Sequence, residues 1–127
     1  MLVLFGKPDV EIGAILAHEM MHVSLLQRLK GCTAGLERSV EEGICEVMAY
    51  MWMEWYCFGG FDSSYKTSVQ AQYTRALKDY MSKRMKRSKD EIYGQGFRDA
   101  MEAVSKFGLI ITLDHIVKNR CLPPCAK

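Results

Sequence analysis

The sequence has no long apolar run and no surplus of one charge sign, and each absence excludes a class of protein. No stretch approaches the roughly 18 apolar residues of a membrane span, because His18 and Glu19 interrupt even the run at residues 12–17. Seventeen lysines and arginines stand against fifteen acidic residues, which leaves a net charge of +2 and argues against a general polyanion binder. We therefore expect neither a membrane nor a nucleic-acid partner.

A regular cysteine framework is also missing. The five cysteines are an odd number at irregular spacing, and the apolar residues at the amino end follow no basic segment of the kind that begins a secretory signal. Reduced thiols are expected instead, including those of Cys121 and Cys125. This cysteine usage predicts a cytoplasmic or nuclear protein.

The apolar pattern is mainly helical. With 127 residues, 49% of them hydrophobic and 25% charged, the chain has the composition of one globular domain, residues 1–127. Apolar positions recur three and four residues apart in five segments, which predicts helices over about residues 9–30, 39–58, 69–81, 97–107 and 109–118. A short strand is predicted at residues 2–5, and the basic run at residues 83–89 is interpreted as a solvated helix end or loop. The predicted fold class is mainly α with one short N-terminal strand.

One motif carries chemistry: His18, Glu19 and His22 form the pattern H-E-x-x-H within the first predicted helix. Histidines at i and i+4 project from one helix face and can bind one Zn²⁺. Glu19, beside them, is placed to take a proton from a metal-bound water, as a general base does in metal-assisted peptide hydrolysis. The motif predicts a zinc peptidase, whereas the plain structural alternative is a surface histidine pair beside an exposed glutamate.

A catalytic zinc site needs a third protein ligand, and the second predicted helix offers candidates. If the two helices are antiparallel, Glu42 can face the histidine pair and complete the metal site, and Glu46 lies one turn later on the same side. Glu46 would accept the remaining ring N–H of a ligating histidine and orient it. Three alternatives stay open: Glu42 as the end of a capping box that begins at Ser39, Glu41 as the ligand although it is expected to face solvent, and Cys45 as a thiolate ligand.

These residues carry a family resemblance. The histidine pair followed by Glu42 and Glu46 resembles the gluzincin zinc peptidases. Further segments resemble the carboxy-terminal peptidase domain of the plant LIM-domain, ubiquitin-activated peptidases that restrict organ growth; they are residues 2–6, 14–22, 40–45, 51–52, 93–98 and 112–116. The resemblance implies a zinc-dependent enzyme that hydrolyses peptide bonds in a few regulatory proteins of the ubiquitin pathway, including ubiquitin ligases and deubiquitinases, after activation by ubiquitylation.

The sequence also departs from that family. Its members carry ubiquitin-interacting motifs and a LIM zinc module ahead of the peptidase, whereas this sequence starts seventeen residues before His18. We expect a truncated peptidase domain with a helical zincin-like core, and contacts with ubiquitin or ubiquitylated proteins through regions absent here. The alternative is a catalytically inactive, truncated interaction or regulatory domain that retains the fold, with or without the zinc.

Peptide hydrolysis also needs a donor aimed at the developing oxyanion. His115 is the one histidine outside the motif and is the candidate catalytic residue for this task. Tyr93 and Arg98 are other polar candidates, and the sequence does not decide among the three.

Overall fold

The computed structural model describes residues 7–58 and 66–123, and the regular elements within these ranges are all helices. They are α1 (Asp9–Arg28), α2 (Arg38–Phe58), α3 (Ser68–Arg87), a π-helix (Glu91–Gln95), α4 (Gly96–Phe107) and α5 (Leu109–Asn119). The mainly α prediction is confirmed. The strand predicted at residues 2–5 lies outside the described residues, as does Cys125.

Helices α1 and α2 form the centre of the fold, with two apolar clusters along their length. Towards one end, Met21 and Leu25 of α1 pack with Ile44 and Val47 of α2 and with residues of α4 and α5. Towards the other end, a second cluster surrounds Met53 of α2. His18, Glu19 and His22 of α1 therefore lie where the two apolar clusters meet. Buried apolar side chains hold α1 and α2 in place there.

Two glycines allow helices to approach more closely than any side chain would permit. A Cβ at Gly43 would lie 2.3 Å from the carbonyl oxygen of Gly96, so the start of α4 rests directly on the backbone of α2. At the other end of the α1–α2 pair, the ring of Trp52 covers Gly13, where a Cβ would lie 2.0 Å from the indole. Both close approaches fix the positions of the helices that carry the motif.

The remaining elements refine the sequence prediction. Helix α3 extends through Arg87, so residues 83–87 form its basic last turns, and the helix-end interpretation of the basic run is confirmed. Gly108, with φ of +86°, separates α4 from α5 at the predicted interruption. The π-helix was not predicted, because a five-residue turn leaves no apolar periodicity to detect.

The cysteines correct one expectation. Cys32, Cys45 and Cys57 are reduced thiols, as predicted. Cys121, however, is disulfide-bonded, so the prediction of a reduced thiol at this position was wrong. Among the described residues, no helix combines the length and the hydropathy that a bilayer span would need.

Candidate metal centre

The two histidines of α1 face three glutamates of α2. The Nδ1 atom of His18 lies 2.8 Å from Glu46 Oε1, and Nδ1 of His22 lies 2.8 Å from Glu41 Oε2. From the first contact to the second, the position on α1 advances by four residues and the position on α2 goes back by five. The two helices are therefore antiparallel, as the predicted role of Glu42 required. In the tautomer with the proton on Nδ1, each carboxylate accepts an N–H from one ring and orients it, and each Nε2 keeps a free lone pair.

The free lone pairs converge on one point together with Glu42. Its Oε1 lies 3.0 Å from His18 Nε2 and 3.2 Å from His22 Nε2, and the two nitrogens are 3.2 Å apart. Three acceptor atoms this close require a cation among them, either a proton or a metal ion. In a tetrahedral zinc site with bonds of about 2.0–2.1 Å, neighbouring ligand atoms are separated by about 3.3 Å. The side chains therefore fit a zinc ion bound by two histidines and one carboxylate.

The surroundings of Ser39 and Glu41 bear on two of the alternatives, the capping box and the solvent-facing Glu41. Helix α2 begins at Arg38, so Ser39 lies inside the helix and cannot be its N-cap, and the carboxylate of Glu42 points to the histidines. The expectation that Glu41 faces solvent was wrong, because its side chain is only 24% exposed and binds His22. No local signal marked this contact: with Glu46 at His18, four residues along antiparallel helices give position 42 opposite His22, and only the packing shows that the adjacent Glu41 also reaches this ring.

Cys45 remains a neighbour of the cluster. Its thiol lies in a group with the two histidines whose ligand atoms are all within 4.8 Å of one another, and it is fully buried. Burial, followed by the charges of Glu42 and Glu41, raises the pKa of the Cys45 thiol far above its usual range. The Glu42 oxygen lies 3.0 Å and 3.2 Å from the two Nε2 atoms, so we favour Glu42 as the third ligand.

The carboxylates also act on His18. Burial disfavours its protonated form, but the hydrogen bond and charge of Glu46 and the contact with Glu42 outweigh burial, and the pKa of His18 is raised. The carboxylates of Glu46 and Glu42 thus favour positive charge at this position.

Glu19 lies on the neighbouring face of α1 and lines a cleft of about 690 Å³, which we call the site cleft. Among the described residues it has no hydrogen-bond or ion-pair partner, so its carboxylate is available to accept a proton. The residues lining the site cleft are Ala14, Ile15, His18, Glu19, Glu46, Ala49, Met53, Met81, Arg84, Met85, Arg87, Ser88 and Tyr93. The cleft runs from the metal-binding cluster to the last turns of α3.

The three candidates for oxyanion stabilisation lie in different places. Tyr93 lines the site cleft, and its hydroxyl accepts a hydrogen bond from Arg38 at 3.2 Å. Arg98 instead donates to the carbonyl oxygens of Lys86 and Ser88. The polar contacts of His115 are with Asn119 and Cys121, away from the cleft, and its catalytic role stays a prediction.

Comparison with known proteins identifies relatives over most of the chain. The sequence profile of the DA1-like family, described as "Protein DA1", matches residues 1–119. "Protein DA1" of Arabidopsis thaliana is 40% identical over 126 residues, which cover 91% of this chain and 23% of that protein. "LIM domain-containing protein HDR3" of Oryza sativa subsp. japonica is 37% identical over 134 residues, or 91% of this chain and 26% of that protein. The chain thus spans about a quarter of the length of these relatives. No solved structure matches it significantly.

Proposed function

This chain belongs to the DA1-like family, and from the cluster on α1 and α2 we propose that it is a zinc-dependent peptidase. The observation that carries the proposal is the convergence of His18 Nε2, His22 Nε2 and Glu42 Oε1 at separations of 3.0–3.2 Å. Two histidines and a carboxylate are a ligand set typical of catalytic zinc, which keeps a fourth position open.

In the proposed reaction each side chain has one task. Zinc, when bound, supplies a Lewis acid that polarises the scissile carbonyl and lowers the pKa of a water molecule. Glu19 takes the proton of the attacking water and later passes it to the leaving amine. Glu46 and Glu41 hold the two imidazoles in position. Tyr93 is the proposed donor to the oxyanion, because its hydroxyl accepts from Arg38 and its own proton has no acceptor among the described residues.

The substrates and partners of the proposed peptidase follow from the family. We propose that the protein cleaves regulatory proteins of the ubiquitin pathway in the cytoplasm or nucleus. We further propose that ubiquitin contacts regions of the longer relatives that this chain does not contain.

The first test is zinc content, measured by elemental analysis after exposure to zinc and dialysis. Wild-type protein should hold about one zinc per chain, and His22→Ala should lose it. His115→Ala is the matched control, since it removes the histidine that lies outside the cluster, and it should keep its zinc. Zinc that survives His22→Ala would refute the ligand assignment.

The second test separates catalysis from binding. Glu19→Gln should keep zinc and abolish cleavage of peptide substrates, because the amide cannot take a proton from water. If the wild-type protein binds zinc but cleaves no peptide or protein, the chain acts as an interaction domain and the peptidase proposal fails.

A further inference from the structure

The site cleft has opposite charges at its two ends. Glu19 and Glu46 lie at the end formed by α1 and α2, whereas Arg84 and Arg87 lie at the end formed by the last turns of α3. A peptide in the cleft would therefore meet negative charge beside the reacting centre and positive charge away from it. Such a gradient orients a ligand that carries its own charge.

The two arginines have no carboxylate partner within the part of the chain that the structure describes. The guanidinium of Arg84 lies 5.7 Å from the ring centroid of Tyr80, one turn earlier on α3, and Arg87 has no contact of this kind. Two other cations of α3 are engaged elsewhere: Lys78 pairs with Glu54, and Lys86 lies 5.1 Å from the ring centroid of Tyr50. The arginines of the site cleft are thus left available to an external anion.

Between the charged ends the cleft is apolar. Its walls there consist of two alanines and an isoleucine with three methionines; they are Ala14, Ile15, Ala49, Met53, Met81 and Met85. The alanines leave room for an incoming side chain, and the flexible thioether chains adapt to its shape. This middle section fits an apolar side chain of a peptide.

We propose that the site cleft selects peptide segments that place a carboxylate near an apolar residue, with Arg84 and Arg87 binding the carboxylate. Guanidinium groups bind carboxylates through paired hydrogen bonds, and these two arginines lie on α3, apart from the helices that carry the histidines and glutamates. The inference rests on the proposed function, because both use the same cleft. The carboxylate can belong to an acidic side chain or to the free C-terminus of a peptide, and the two sources are separated by experiment.

The test measures binding, so that it does not depend on cleavage. Zinc-loaded Glu19→Gln protein is titrated into three fluorescein-labelled peptides that share one apolar residue. The first carries a neighbouring Glu and an amidated C-terminus, the second carries Gln there and an amidated C-terminus, and the third carries Gln and a free C-terminus. Fluorescence anisotropy should show at least one carboxylate peptide binding roughly fivefold more tightly than the Gln amide peptide. A preference for the first assigns an acidic side chain, and a preference for the third assigns the C-terminus.

Variants of α3 then assign the preference to the two arginines. Replacing both arginines by glutamine (Arg84→Gln with Arg87→Gln) should abolish the preference for the carboxylate peptide. The control Lys83→Gln removes one charge from the same turn outside the cleft and should preserve that preference. Arg84→Glu with Arg87→Glu should favour a peptide that carries Lys in place of Glu. Equal binding of all three peptides, no binding of any of them, or a preference that survives the double glutamine variant would overturn the inference.

The outcomes also separate this inference from the proposed function. If the wild-type protein cleaves the Glu and Gln peptides with equal kcat/KM, and binding is equal too, the peptidase stands and the selectivity fails. If carboxylate binding depends on the arginines but no peptide is cleaved, the selectivity stands and the peptidase fails.

Discussion

Replacing Glu42 with alanine should weaken zinc binding far more than replacing Cys45, although both side chains lie beside the histidine pair. Carboxylates that merely orient a ligating histidine contribute about 10–100-fold to metal affinity. Loss of one of three direct ligands must exceed that range, so we expect Glu42→Ala to lower affinity by about 10³-fold, equivalent to about 4 kcal/mol.

For Cys45→Ala the expected loss of affinity is within about threefold. The Cys45 thiol is fully buried, so its removal should instead lower the free energy of unfolding by about 1 kcal/mol through lost packing. Urea denaturation of the metal-free proteins separates this packing effect from metal affinity. Cys32→Ala, which removes an exposed thiol, is the matched control and should change neither quantity.

The assay is competition for zinc against a chromogenic chelator, repeated with cobalt in place of zinc. With Glu42 as the ligand, the cobalt protein shows no near-ultraviolet charge-transfer band from a thiolate. Our reasoning would be refuted if Cys45→Ala lost more zinc affinity than Glu42→Ala. A thiolate band in the cobalt protein that Cys45→Ala removes would refute it as well, and either result would make Cys45 the third ligand.

Three further predictions concern the surroundings of the metal centre. Glu41→Gln and Glu46→Gln should each lower zinc affinity by about 10–100-fold with an unchanged far-ultraviolet circular dichroism spectrum, and equal affinity to wild type would show that neither orients its histidine. Gly43→Ala should lower the free energy of unfolding by about 1–3 kcal/mol in urea, because the new methyl meets the backbone of α4; an unchanged midpoint would contradict this close approach. Tyr93→Phe should keep zinc and lower kcat by about 10²-fold, whereas an unaltered kcat would exclude the hydroxyl as the oxyanion donor.

The helical segments and the core of the site could be predicted from local sequence. Apolar side chains three and four residues apart define each helix, since only one face of it is buried, and Gly108 marks the break between the last two. The spacing of His18 and His22 brings both rings to one face of α1 whatever surrounds it. Local periodicity therefore determined which residues share a face, and which histidines can bind together.

Contacts between helices were harder to predict from the sequence. Glu41 and Glu42 are adjacent in sequence and differ by about 100° around the helix, so the register of α1 against α2 decides which of them faces both histidines. The structure assigns Glu41 to His22 alone and Glu42 to both rings. That register depends on packing of the two apolar clusters and on the close approach of Gly13 and Trp52, which no local pattern encodes.

The sequence by itself thus determined the helical class and the histidine pair with its adjacent glutamate, because these follow from spacing along one helix. Packing between helices decided that Glu41 faces inward, that Tyr93 rather than Arg98 lines the site cleft, and that Arg84 and Arg87 line the same cleft as Glu19 with no carboxylate partner among the described residues. The physical reason is that these relations join residues from different elements, and their geometry is set by how the helices pack.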